Sequence, residues 1–220
     1  MNQALFEQLL DLAAGAFLLT AVAVLWRREL TALIRLLAAQ GAALAAMVAL
    51  LAAHERDAEL AAVAAVVATL KAVVVPRLLR RTLAGDGRPR ETAPLVNVAA
   101  SLLAAAGLVL LAYAAAQPLV RLADPAGGRA APAGLAVMLI GFFALATRRR
   151  ALSQITGFLL VDNGIAATAF LATSGVPLIV ELGVSLDVLL AVLVLQVLTT
   201  RLRTAHGVAD LDELRELRDS

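Results

Sequence analysis

The sequence predicts an all-α integral membrane protein with seven transmembrane helices, arranged as two parallel three-helix repeats joined by a connecting helix. Three observations predict this class. Of the 220 residues, 61% are apolar and 16% are charged, whereas soluble domains are about 45–50% apolar and about 25% charged. The apolar residues form long runs, most of them near the roughly 20 residues that an α-helix needs to cross a bilayer. The basic residues stand mostly between these runs rather than inside them.

Each run reads as a helix because alanine and leucine, both strong helix formers, dominate it. None shows the alternation over about ten residues that a membrane-spanning β-strand requires. The first residues have no basic flank, so we expect no cleaved signal peptide. The predicted spans are residues 5–26, 30–52, 59–79, 93–116, 132–147, 152–173 and 177–200, of which the fifth is the shortest.

The basic residues set the expected orientation of these helices. Fifteen of the 19 Lys and Arg residues flank the first, third and fifth connections or follow the last span, whereas three flank the other connections. Cytoplasmic loops carry the excess of Lys and Arg. We therefore expect a multi-pass protein of a bacterial or archaeal cytoplasmic membrane, with the N-terminus outside and the C-terminus in the cytoplasm. The basic residues cluster at the ends of the spans, as in membrane proteins, so the expected partner is the lipid bilayer and not nucleic acid.

The chain matches itself without a gap when it is shifted by 122 residues, so that Arg28 falls on Arg150 and Glu59 on Glu181. We interpret the match as two three-helix units, residues 1–81 and 123–203, joined by a connecting helix and loops in residues 82–122. The first helices of the units are the first and fifth spans, and this even separation makes the repeat parallel. Residues 204–220 form a cytoplasmic tail, in which 210–217 are either a short docking helix or a solvated end.

The composition excludes most cofactor chemistry in this chain. Without cysteine there is no disulfide, thiolate zinc site or iron–sulfur cluster. The two histidines, His54 and His206, are too few and too far apart for a haem pair or a nickel site. No connection is long enough for a catalytic domain. We expect no cofactor, no metal and no catalytic residue, so the chain is not an enzyme by itself.

Several polar residues lie where the predicted helices cross the membrane. Lys71 and Asp162 are near the middle of the third and sixth spans, Asp187 is in the seventh, and Gln40 is at the middle of the second. A charged residue there costs about 2.5–3.5 kcal/mol on insertion scales, so it needs a reason. Ionisable groups in a low dielectric exchange protons closer to neutral pH than they do in water. These residues, with Asn163 beside Asp162, therefore predict a proton pathway.

Other interpretations stay open for these residues. Lys71 would lock two helices together if it paired with one carboxylate, or the polar groups would satisfy neighbours in a complex. Glu59 and Glu181 are near the outer ends of their spans, where they are candidates for the pathway but also ordinary rim carboxylates that reach water. Pro76 removes a backbone donor near Lys71 and is expected to disturb that helix.

Two further sets of residues are expected to shape the interior. Asn97 and Ser101, one turn apart on the fourth span, are placed to bridge by hydrogen bonds or to hold water. Small residues let membrane helices approach closely. The candidates for this role are Gly15, Gly41, Gly107, Gly141 and Gly157.

Four segments of the sequence resemble the hydrogenase-4 component E family of membrane subunits. They are residues 71–76 (KAVVVP), 157–164 (GFLLVDNG), 181–187 (ELGVSLD) and 204–207 (TAHG). The resemblance covers nearly the whole chain and is most specific in the last third. That family is similar to the three-helix small subunit of respiratory complex I and to the corresponding subunit of multi-subunit cation/proton antiporters.

The resemblance implies roles for particular residues. The complex I relative has a membrane-embedded glutamate in its second and third helices, and Asp187 matches the third-helix position. At the second-helix position this chain has Leu159, and Asp162 lies one turn later on the same face. The N-terminal unit has Gln40 and Ala65 at the equivalent positions, with Lys71 as its own ionisable group.

The resemblance also implies a parent assembly, a group 4 nickel–iron hydrogenase or formate hydrogenlyase-type complex. This chain would be part of its membrane arm, would bind no cofactor, and would contribute to proton or cation translocation beside other membrane-arm and hydrophilic-arm subunits. Two alternatives stay open. In the first, the chain is a subunit of a cation/proton antiporter without a hydrogenase. In the second, it is a structural spacer between larger subunits.

Overall fold

The structure is a computed structural model that describes residues 2–84, 96–122, 127–148 and 151–173. Within these ranges, six helices are long and apolar enough to cross a membrane, and they match the first six predicted spans. The predicted seventh span and the tail lie outside the described residues, and so do Glu181 and Asp187. The helices are α1 Gln3–Trp26, α2 Leu30–Glu55, α3 Ala58–Val67, a π-helical turn Ala68–Val74, α4 Val75–Ala84, α5 Val98–Ala115, α6 Gln117–Leu122, a 3₁₀ turn Gly128–Ala130, α7 Ala131–Thr147 and α8 Ala151–Thr173.

Short connections make the first three spans antiparallel neighbours. The side chain of Asn2 caps α1 by accepting a hydrogen bond from the Ala4 amide. α2 ends at Arg56, whose φ of 56° reverses the chain in the left-handed region. Asp57 then begins α3, because its carboxylate accepts hydrogen bonds from the amides of Glu59 and Leu60 at 2.8 and 3.2 Å. Such caps satisfy helix-end donors that have no partner within the helix.

The third span is continuous but not uniform. α3 and α4 are joined by the π-helical turn Ala68–Val74, which contains Lys71. Pro76 follows two residues after this turn. In a regular α-helix the proline ring would clash with the carbonyl of the residue four positions earlier, here Ala72, and a wider turn relieves that clash. The predicted disturbance near Lys71 therefore takes the form of a local π-helix.

Apolar side chains from the six described spans meet in one core. α1 contributes Phe6 and Phe17, and α2 contributes Leu44 and Leu51, all of them buried completely. α1 packs on α2, α5 and α7, while α2 packs on α3, α4 and α8. α2 is therefore the helix that joins the N-terminal spans to α8.

Four glycines bring α7 and α8 into backbone contact. Gly134 and Gly141 on α7 face Gly157 and Gly164 on α8, and each pair is seven residues apart. A Cβ atom at Gly141 would lie 2.6 Å from the Val161 nitrogen. The expected close approach is confirmed at Gly141, Gly157 and Gly41. At Gly15 and Gly107 a Cβ atom would have nothing within 4 Å, so no described helix approaches closely there.

α1 and α7 run in the same direction. Near the start of both helices, Arg129 donates to Glu7 at 3.4 Å. Near their ends, Arg148 donates to the carbonyls of Val24 and Leu25 at 2.9 and 3.2 Å. Glu7 and Arg129 are 122 residues apart, and Val24 and Arg148 are 124 residues apart. Nearly equal separations at the two ends are possible only if the helices are parallel.

The outer surface of the described helices is mostly apolar. On α1, Leu12 and Leu19 are 70% and 68% exposed, and on α5 Leu103 and Leu110 are 75% and 73% exposed. Soluble monomers rarely expose apolar patches of such extent, whereas hydrocarbon is the natural solvent for them. The described helices are those of a multi-pass membrane protein.

Candidate functional site

A lysine and an aspartate form a buried ion pair in the middle of the bundle. The Nζ atom of Lys71 lies 2.5 Å from Oδ2 of Asp162, and the two side chains are 7% and 9% exposed. Lys71 belongs to the π-helical turn, and Asp162 lies near the middle of α8. The hydrogen bond from a charged donor to a charged acceptor is of the strong kind. It offsets part of the cost of placing each charge away from water.

Two buried amides continue the polar contact toward α1. Asn163 follows Asp162 on α8, and its Nδ2 atom donates to Oε1 of Gln40 at 3.0 Å. The Nε2 atom of Gln40 in turn donates to the carbonyl of Phe17 at 3.5 Å. Gln40 is fully buried and Asn163 nearly so. These two sets of contacts lie side by side, because Asp162 and Asn163 are consecutive on α8, and together we call them the polar core.

Gly41 brings the backbone of α2 against the backbone of Lys71. A Cβ atom at Gly41 would lie 2.6 and 2.7 Å from the carbonyl carbon and oxygen of Lys71. In the π-helical register the Val75 amide donates to the Leu70 carbonyl. The next donor in this register would be residue 76, which is proline and has no N–H. The carbonyl of Lys71, which lies beside the polar core, therefore receives no hydrogen bond from the backbone of residue 76.

A small cleft borders the ion pair. Its volume for a water-sized molecule is about 10 Å³, and Lys71, Asp162 and Asn163 line it. Apolar side chains complete its wall. Polar groups at one end of an apolar cleft are where water can be held in a protein interior.

The structure brings together four of the seven predicted pathway residues: Lys71, Asp162, Asn163 and Gln40. Glu59 is not among them, because it lies exposed in the first turn of α3. Asp187 and Glu181 lie outside the described residues. Sequence reasoning missed Phe17, which takes part through its carbonyl, a group that every residue carries. Gly41 was expected only to allow close helix approach, and its contact with the Lys71 backbone went unforeseen.

The predicted bridge of Asn97 and Ser101 within the fourth span is wrong. Asn97 precedes α5, and its side chain caps that helix by accepting from the Ala100 amide at 2.8 Å. The span begins later than expected, so Asn97 lies at its end. Ser101 is buried and lines a second cleft, together with Arg28 and Arg148.

Arg148 was expected in a basic connection at the membrane rim, but the structure buries it. It is 6% exposed and donates to the carbonyls of Val24, Leu25 and Arg27, at 2.9, 3.2 and 3.2 Å. The last carbonyls of a helix have no partners within it. Arg148 therefore caps the C-terminal end of α1 from α7.

In the described part of the chain, no three metal-ligating side chains come together. What the polar core can do is hold and move a proton. The hydrogen bond between Lys71 and Asp162 provides a direct path for transfer from nitrogen to oxygen. Gln40 and Asn163 do not titrate, but as both donors and acceptors they fix the positions of their neighbours.

An apolar helical exterior around a paired lysine and aspartate defines a multi-pass membrane protein with an ionisable centre. No family model and no solved structure matches the chain. It is 54% identical over 220 residues, the full length of both chains, to an uncharacterized protein of Mycobacterium tuberculosis. It is also 31% identical over 151 residues to hydrogenase-4 component E of Escherichia coli and of Shigella flexneri, covering 67% of this chain and 68% of the relative. The chain belongs to the hydrogenase-4 component E family.

Proposed function

We propose that this chain is a non-catalytic membrane-arm subunit of a hydrogenase-4-like complex, and that its polar core takes part in proton or cation translocation. The observation that carries the proposal is the contact between Lys71 and Asp162, two ionisable groups paired near the middle of their spans. Such residues are rare in spanning helices and mark ion or proton pathways when they face the interior of a bundle. Family membership supports a place among the subunits of such a complex.

One elementary step follows from the geometry. A proton moves from Nζ of Lys71 to Oδ2 of Asp162, which leaves a neutral amine and a neutral carboxylic acid. The amine then accepts an excess proton that arrives through water at the cleft, and the acid releases its proton to the next acceptor, which restores the charged pair. Asn163 and Gln40 hold α8 and α2 in register during this step. Asp187 and Glu181 extend the proposed path beyond the described residues, and Glu59 is the proposed entrance at the rim.

The proposed topology places the N-terminus outside and the C-terminus in the cytoplasm of a bacterial or archaeal cell, because most Lys and Arg residues flank the connections on the C-terminal side of the membrane. The parallel course of α1 and α7 supports the proposed repeat, because these are the first helices of the two units. The proposed partners are the lipid bilayer and the other membrane-arm and hydrophilic-arm subunits. Co-purification of a hydrogenase subunit would separate this assembly from an antiporter complex without one.

A structural spacer is the second candidate, and the same ion pair favours it. A direct contact between two charged groups ties α8 to the third span whether or not protons move. The two functions differ in what happens when both charges are replaced by apolar groups of similar size. A spacer would still assemble and the complex would still pump, whereas a proton-conducting subunit would assemble and fail to pump.

The test compares three forms of the chain in the assembled complex, in inverted membrane vesicles. Asp162→Asn and the double variant Lys71→Met/Asp162→Leu are measured against Glu55→Gln, which changes an exposed carboxylate at the end of α2 outside the proposed path. We expect redox-driven proton uptake to be lost in the first two and largely retained in Glu55→Gln. Normal pumping by an assembled double variant would contradict the transport role and support the structural spacer.

A further inference from the structure

One face of α1 carries a carboxylate that the described structure does not explain. Asp11 lies exposed in the third turn of the helix, and it makes no hydrogen bond or ion pair with any described residue. Glu7, one turn earlier, is paired with Arg129 at 3.4 Å. The rim therefore has a cation for the first carboxylate, and the second lies one turn deeper.

The depth of Asp11 follows from the position of the polar core. Gln40 donates to the carbonyl of Phe17, so Phe17 marks the level of the polar core on α1. Asp11 is six residues earlier, or about 9 Å along the helix axis at 1.5 Å per residue. The hydrocarbon core extends about 15 Å to each side of its middle. Asp11 therefore lies within the hydrocarbon region, where a charge without a partner is costly.

Several exposed residues share one face of α1 with Asp11, and we call this face the α1 outer face. Its exposed members lie within an arc of about 80° at 100° per residue, where Val22 alone is half-buried after the first turn, and they are Gln8, Asp11, Gly15, Leu19 and Trp26. Leu19 is 68% exposed and Trp26 60% exposed. A Cβ atom at Gly15 would have nothing within 4 Å, so another helix has room to approach there.

The charge of Asp11 selects the kind of occupant. Residues 174–200 of this chain contain no Lys or Arg, and their ionisable groups are the carboxylates Glu181 and Asp187. The remaining predicted span therefore offers no counter-charge. A second copy packed face to face would place two Asp11 carboxylates together, which like-charge repulsion disfavours. A helix that carries a cation at this depth resolves both problems.

We propose that the α1 outer face docks on a transmembrane helix of a different subunit, and that a Lys or Arg of that helix pairs with Asp11. The inference rests on the proposed function only in that the chain is a subunit of a complex, and it does not depend on proton transfer. Gly15 allows the two helices to approach, while Leu19 and Trp26 provide the apolar contact beyond the level of Phe17.

The absence of native cysteine allows a direct test. Leu19→Cys is labelled with a benzophenone maleimide in the assembled complex in native membranes and irradiated, with Leu110→Cys on α5 as the matched control. We expect position 19 to form an adduct with another subunit, at a peptide from an apolar segment containing Lys or Arg. Leu110→Cys, equally exposed on another helix, should not give that peptide.

The charge is tested by adding Asp11→Asn or Asp11→Lys to Leu19→Cys. We expect the adduct yield to fall by about tenfold in the Lys variant and less in the Asn variant. Exchange of the identified basic residue for Asp should restore the yield with Asp11→Lys. An adduct with lipid alone, with a second copy or with a segment lacking Lys and Arg would overturn the proposal. So would an unchanged yield in Asp11→Lys. The proposed function is tested separately, by proton uptake in the Asp162 variants, so a failure of the Asp11 contact would not contradict it.

Discussion

The two sides of α8 are built on different principles. Toward α7, four glycines place backbone against backbone, as at Gly141 and Gly157. Toward α2 and the π-helical turn, side chains hold the helices together, through Asp162 to Lys71 and through Asn163 to Gln40. Among the described residues, the glycine side has no ionisable side chain, whereas the polar side carries Asp162. The difference indicates that α7 and α8 pack tightly against each other and present Asp162 to the N-terminal spans.

The strongest way to break the polar side is to remove one member of the ion pair. Asp162→Leu leaves Lys71 buried without its counter-charge, and we expect the free energy of unfolding to fall by about 3–5 kcal/mol. Lys71→Met/Asp162→Leu removes both charges, and most of the loss should be recovered. Unfolding of the purified chain by titration with a denaturing detergent measures both changes. Equal losses in the single and double variants would show that the pair does not act as a unit.

The glycine side should respond to a single added methyl group. Gly164→Ala places a Cβ atom against the backbone of Met138, and overpacking of this kind costs about 1–3 kcal/mol. Gly107→Ala is the matched control, because its Cβ atom meets nothing within 4 Å. There the better helix propensity of alanine should leave stability unchanged or raise it by up to about 1 kcal/mol. A similar loss in both variants would mean that contact with α7 does not decide the effect.

The amide contact is the smallest expected contribution on the polar side. Gln40→Leu removes the acceptor of Asn163, and we expect a loss of about 1 kcal/mol in the free energy of unfolding. Adding Asn163→Leu removes the donor that was left without a partner, so the double variant should be closer to the native chain. If the double variant is less stable than Gln40→Leu, the two residues contribute independently rather than through their hydrogen bond.

Much of the fold could be predicted because each span is a long apolar run, a signal that one sequence is enough to show. Lys71 and Asp162 could be predicted as site residues for the same reason, since a charge stands out in such a run. Their partnership could not, because the residues are 91 positions apart and no local pattern records which helices pack together. The Phe17 carbonyl has no side-chain signature at all. Asn97 was misplaced because its role as a helix cap depends on where α5 begins.

The cap that Arg148 provides has a consequence for motion. It anchors the basic end of α1 to α7 through hydrogen bonds to three carbonyls, two of them buried. At the other end the two helices are joined by Glu7 and Arg129, whose side chains are 38% and 77% exposed, a kind of pair that salt weakens. We expect any swing between these two helices to pivot about Arg148. Water would then enter between α1 and α7 at the Glu7 end and move toward the middle of the bundle.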